Sequence, residues 1–115
     1  MQTKKLLQNV LRDLEDLKAV NVVTLDVRKL TSITDFMVIA SGNSRKHVSA
    51  IVDNLVHNMK TRSIYPAVEG DANEEWLLVD LGDVVVHIMQ TKTREFYNLE
   101  KLWSPAHNPR KAALP

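Results

Sequence analysis

Glu74-Glu75-Trp76-Leu77-Leu78-Val79-Asp80-Leu81-Gly82-Asp83-Val84-Val85-Val86-His87-Ile88-Met89 reads as two strands joined by a tight turn. Gly82-Asp83 suits a type II′ hairpin, because glycine accepts the positive φ at the first central position. With these two as loop residues, the cross-strand pairs are Leu81/Val84, Asp80/Val85, Val79/Val86, Leu78/His87, Leu77/Ile88 and Trp76/Met89. Strand side chains alternate between faces, so the pairs sort into two sets. One face carries Leu77, Val79, Leu81, Val84, Val86 and Ile88 and is wholly aliphatic, as a core face should be. The other carries Trp76, Leu78, Asp80, Val85, His87 and Met89. That mixture of indole, thioether, acid and imidazole is one that a core avoids and a recognition surface uses.

The chain around this hairpin has 115 residues, enough for one domain with one hydrophobic core. Its 44% hydrophobic and 25% charged residues are ordinary for a soluble globular protein. A net charge of +1 argues against a protein whose affinity comes mainly from neutralising phosphates, and direct DNA binding is not expected. There is no cysteine, hence no disulfide framework, no cysteine-based zinc site and no thiol nucleophile. The N-terminal Met-Gln-Thr-Lys-Lys-Leu-Leu-Gln lacks the apolar core of a signal peptide and the length of a membrane span. A cytoplasmic protein without membrane contact is the expectation.

Upstream of the hairpin, Leu6, Leu7, Val10, Leu11, Leu14 and Leu17 recur at helical spacing. They predict an amphipathic helix over roughly residues 3–19, with Lys4, Lys5, Arg12, Asp13, Glu15, Asp16 and Lys18 on its outer surface. Val22–Val27 alternates as a half-buried strand. Phe36–Ala40 is a short unbroken apolar run, the pattern of a strand covered on both faces. Ser44 is placed to cap a helix whose stripe is Val48, Ile51, Val52, Leu55, Val56 and Met59, ending near Lys60-Thr61-Arg62. Ile64–Val68 reads as an edge strand interrupted by Pro66, followed by a turn over Glu69–Asn73. After Met89, Thr91 or Thr93 is a cap for a last helix reaching Trp103, with Phe96, Leu99 and Leu102 inside. Residues 104–115, with Pro105, Pro109 and Pro115, read as a flexible tail to a single domain of residues 1–103. The order α-β-β-α-β-β-β-α gives a mixed five-stranded sheet flanked by helices, of α/β or α+β class.

Other constellations carry less. Asp80, Asp83 and His87 together offer ligands for a divalent ion, with Asp80 and His87 one diagonal step apart. Asp83, however, is a turn residue for backbone reasons, and the structural reading outweighs a metal site. Gly42-Asn43-Ser44 before a helix has the form of a phosphate-binding turn, but no Gly-x-x-x-x-Gly-Lys pattern follows, so capping is preferred. Asp35 at a strand end is a candidate catalytic carboxylate, against the plainer reading that it hydrogen-bonds its own loop. No serine occupies a Gly-x-Ser-x-Gly elbow. His47 and His57, ten residues apart on one helix, are not expected to share a ligand. No cofactor is implied. Trp76 and Trp103 are the only tryptophans, and the mixed face makes Trp76 a candidate binding anchor.

Three segments carry a resemblance. They are Ser32-Ile33-Thr34-Asp35-Phe36-Met37-Val38-Ile39-Ala40-Ser41-Gly42 with Ser44; Glu69-Gly70 followed by Trp76 through His87; and Leu99-Glu100-Lys101-Leu102-Trp103. In this order they resemble the ribosomal silencing factor family, also called Iojap-like proteins. The departures are Glu75, Leu81 and Met89, where the family favours Asp, Tyr and an aromatic residue. The resemblance implies a nucleotidyltransferase-like fold without catalysis, and this chain lacks the Gly-Ser plus paired-Asp signature of active nucleotidyltransferases. It also implies binding to the large ribosomal subunit through its protein L-fourteen, often as a homodimer. Subunit joining would be blocked and translation repressed in stationary phase or under nutrient limitation. The expected partner-binding residues are Trp76, Leu78, Asp80, Gly82, Asp83, His87 and Trp103. The alternative is a residual metal-dependent nucleotidyltransferase using Asp35, Asp80 and Asp83.

Overall fold

The computed structural model describes residues 2–70 and 75–98. The elements are α1 (Thr3–Asp16), β1 (Val20–Asp26), β2 (Phe36–Gly42), α2 (Arg45–Thr61), β3 (Ala67–Gly70), β4 (Trp76–Asp80), β5 (Val84–Gln90) and α3 (Thr91–Tyr97). They form a five-stranded mixed sheet in the order β1-β2-β5-β4-β3. Strands β2 and β5 run parallel at its centre, and every other pairing is antiparallel. The unbroken apolar run of β2 reflects this place, because from Met37 onward it is buried at every position.

The hairpin has the register that its sequence dictates, from Trp76 opposite Met89 to Asp80 opposite Val85. Leu81 N–H donates to the Val84 carbonyl at 2.9 Å. Gly82 has φ +87°, and its neighbour Asp83 stays at negative φ, as a type II′ turn requires. The aliphatic face of the hairpin joins Val38 and Ala40 of β2 beneath the two long helices. From α1 this core takes Leu6, Val10 and Leu14, and from α2 it takes Val48, Ile51, Val52, Leu55 and Met59. Ser44 caps α2 by accepting the His47 N–H at 3.1 Å. Gly42 lets β2 run close under α2, since a Cβ there would lie 2.8 Å from Val48 Cγ2 and 2.9 Å from its backbone nitrogen.

Several elements depart from the sequence expectations. α1 stops at Asp16, because Lys18 turns to φ +56°. There, Lys18 N–H donates to Glu15 O and Ala19 N–H to Leu14 O, a Schellman closure without glycine. α2 ends the same way at Ser63 (φ +63°), with Ser63 N–H on Lys60 O and Ile64 N–H on Met59 O. β3 is an edge strand as expected, but it begins after Pro66 rather than spanning it, since proline has no donor for the ladder. Glu69 and Gly70 therefore belong to β3, not to a turn, and the remainder of that turn lies outside the described residues.

Asp13 is not on the polar surface of α1 but 1% exposed beneath α2. Arg62 Nη1 and Nη2 donate to its two carboxylate oxygens at 2.8 and 3.1 Å, and Asn58 Nδ2 adds a bond of 3.0 Å. The partner that makes this burial tolerable stands 49 residues away. α3 begins without a threonine cap, Gln90 standing at the N-cap position, and its last helical residue is Tyr97. Phe96 is 79% exposed rather than inside; Thr93 and Arg94 face inward instead. Residues two apart point to different sides of a helix, and Arg94 is drawn in by Ser41 Oγ (3.0 Å) and the Val20 carbonyl (3.4 Å). Leu99, Leu102, Trp103 and the tail 104–115 lie outside the described residues.

Candidate docking face on the hairpin

The mixed face of β4 and β5 is continued by alternate residues of β2 and β1. Met89 is fully buried there with Leu25, Val27, Met37 and Ile39, and Val23 and Trp76 pack against this group. The face therefore has an apolar floor of its own, which corrects the view that a core would avoid such residues. Its outer part is different. Trp76 and Leu78 are half-buried, and Asp80 is exposed. Glu69, opposite Leu78 on β3, is also exposed.

His87 is 7% exposed and lies between Leu78 on β4 and Ile39 on β2. The Trp76 Nε1–H donates to its Nδ1 at 3.0 Å. The ring centroids are 5.8 Å apart with planes tilted by 50°. Burial pushes the imidazole down from 6.5 to about 4, because the apolar site disfavours the charged ring. His87 is thus neutral near pH 7. The hairpin register already placed it on a diagonal with both Trp76 and Asp80. The sequence reading singled out Asp80; the structure uses Trp76.

The acids of the candidate metal cluster go elsewhere. Asp80 Oδ1 accepts the Gly82 N–H at 2.8 Å and so braces the turn. Asp83 Oδ2 accepts from Thr3 Oγ1 at 3.0 Å, on the α1 side of the sheet. Asp35 meets Asp83 only through backbone, its N–H donating to the Asp83 carbonyl at 3.0 Å, while its own carbonyl accepts from Val27. Among the described residues no group of three or more His, Cys, Asp or Glu side chains is placed to hold a metal ion. The Gly42-Asn43-Ser44 turn is equally committed. Asn43 N–H donates to His47 Nδ1 at 2.9 Å, and His47 Nε2 bonds the Leu17 carbonyl at 2.7 Å. Of the predicted site residues, the structure brings together Trp76, Leu78, Asp80 and His87 on one face. Gly82 and Asp83 stand at the turn, and Trp103 lies outside the described residues.

A family model described as ribosomal silencing factor during starvation matches residues 1–114. A ribosomal silencing factor of Haemophilus influenzae is 43% identical over 100 residues, covering 86% of this chain and 98% of that protein. The mouse protein named mitochondrial assembly of ribosomal large subunit protein 1 is 47% identical over 75 residues, covering 62% of this chain and 33% of that longer protein. A crystal structure of a Chromobacterium violaceum protein superposes with a TM-score of 0.86 at 36% identity, covering 90% of this chain and 87% of that one. With a match along nearly the whole chain and a shared fold, this protein belongs to the ribosomal silencing factor family.

Proposed function

We propose that this protein silences ribosomes without catalysis, by binding the large subunit through ribosomal protein L-fourteen and standing where the small subunit would dock. The observation that carries the reading is the family match over residues 1–114. The hairpin supplies the means. Its mixed face offers a half-buried indole beside Leu78, with Asp80 and Glu69 exposed around them. A central aromatic anchor with a polar rim is the usual anatomy of a protein interface, and a standard contact buries about 800 Å² per partner. Exposed acids favour a basic protein partner, and a net charge of +1 suits protein-directed docking better than RNA-directed docking.

Sedimentation of purified subunits with and without the protein tests the function. Loss of the joined particle is expected, and unchanged joining at saturating protein refutes it. Trp76→Ala tests the face. Truncating an interface anchor costs at least about 2 kcal/mol, so affinity for L-fourteen should fall by about 30-fold or more. Wild-type affinity in a folded Trp76→Ala variant places the contact elsewhere.

A further inference from the structure

The bond from Trp76 Nε1–H to His87 Nδ1 fixes more than a rotamer. A neutral imidazole that accepts at Nδ1 must carry its proton on Nε2. The same bond uses the indole's single polar atom, so the ring has no spare donor to offer a partner. Among the described residues Nε2 of His87 has no hydrogen-bond partner. Among the described residues no side-chain nitrogen or oxygen sealed from solvent lacks one, so Nε2–H lies in the small part of His87 that reaches the surface. Its cross-strand neighbours are Leu78 and Ile39, both apolar. The face therefore presents an indole as a purely apolar body, with one N–H donor set among aliphatic groups.

We propose that His87 is a positioning and specificity-determining residue of the docking face. It holds the Trp76 ring through Nδ1 and presents Nε2–H to a carbonyl acceptor on the protein partner, beside the pocket that takes the indole. This rests on the docking role given to the face above. A partner surface lacking that acceptor would bury the donor unsatisfied, and discrimination follows from that penalty.

The test compares the affinity of the full chain for isolated large subunits among wild type, Trp76→Ala, His87→Asn and His87→Leu, each below its measured unfolding transition. Asparagine puts an amide oxygen near the position of Nδ1 and keeps an acceptor for the indole, but does not reach as far as Nε2. Leucine does neither. Affinity should fall in the order wild type, Asn, Leu, with Leu weaker by about tenfold or more; any other order overturns the proposal. In a Trp76→Phe background no N–H remains to be held, so His87→Asn and His87→Leu should bind alike. A gap between them there overturns the positioning role. Trp76→Ala separates the two levels. Wild-type affinity in that variant defeats the docking reading itself, whereas loss there with wild-type affinity in His87→Leu defeats only the role given to His87.

Discussion

Replacing Arg62 by Met should be among the most damaging single changes available outside the apolar core. Asp13 is 1% exposed, and among the described residues Arg62 supplies two of the three side-chain donors to its carboxylate. The Arg62 guanidinium is held above its ordinary range chiefly by that hydrogen-bonded contact with Asp13. Methionine keeps the stem volume and leaves the backbone at the end of α2 untouched. What it removes is the positive charge, leaving a buried carboxylate with Asn58 as its one side-chain donor among the described residues. Stranding one partner of a buried pair costs about 3–5 kcal/mol. The Arg62 side chain is 23% exposed, so water can enter after truncation, and the lower end, about 3 kcal/mol, applies. At roughly 4 °C per kcal/mol for a chain of this size, Tm should fall by about 12 °C. Thermal and urea unfolding followed by circular dichroism measure this, with equal urea slopes confirming a two-state comparison. The double variant Asp13→Leu/Arg62→Met removes the stranded charge and should recover most of the loss. A single variant within about 0.5 kcal/mol of wild type would refute the argument. So would a double variant no more stable than the single one.

Two further outcomes follow from the hairpin. His87 titrates near 6.5 when unfolded but is depressed to about 4 in the fold, so the unfolded chain binds an extra proton between those values. Its contribution is therefore present above pH 6.5 and lost as pH falls toward 4, amounting to about 3 kcal/mol over the window. Subtracting the pH–stability curve of His87→Leu from that of wild type isolates it, and a flat difference across the window contradicts the burial argument. Gly82→Ala should cost about 1 kcal/mol, the cost of φ +87° for a residue with a Cβ, since a Cβ there meets nothing within 4 Å. A loss well beyond that in urea unfolding means the turn has contacts other than its backbone conformation.

The legibility of this chain divides by range. The hairpin pairing, the helical stripes of α1 and α2, the Ser44 cap and the doubly covered β2 all repeat at 2.0 or 3.6 residues or sit at a fixed local offset, and all were readable. The helix ends were not. Lys18 and Ser63 take left-handed conformations that sequence rules reserve for glycine, held there by Schellman bonds and by the docking of each helix on the core. Phe96 misled for a related reason. An apolar residue at helical spacing is expected inside, but α3 is seven residues long and is anchored by Arg94 donating to Ser41 on the neighbouring strand β2.

For the proposed docking face, sequence determined which residues share it, because strand period and a two-residue turn leave no freedom in the register. The alternation placed Trp76, Leu78, Asp80 and His87 together without reference to the rest of the chain. Only the tertiary structure decided what each of them does. Parallel pairing with β2 put Ile39 beside His87 and removed water from it. The choice between two diagonals gave the imidazole to the indole and left Asp80 to brace the turn. The same division holds for Asp13, an acid on a polar helix face by its spacing and a buried ion by virtue of Arg62. Periodicity is a property of neighbours along the chain. Burial and protonation depend on groups that folding alone brings within reach.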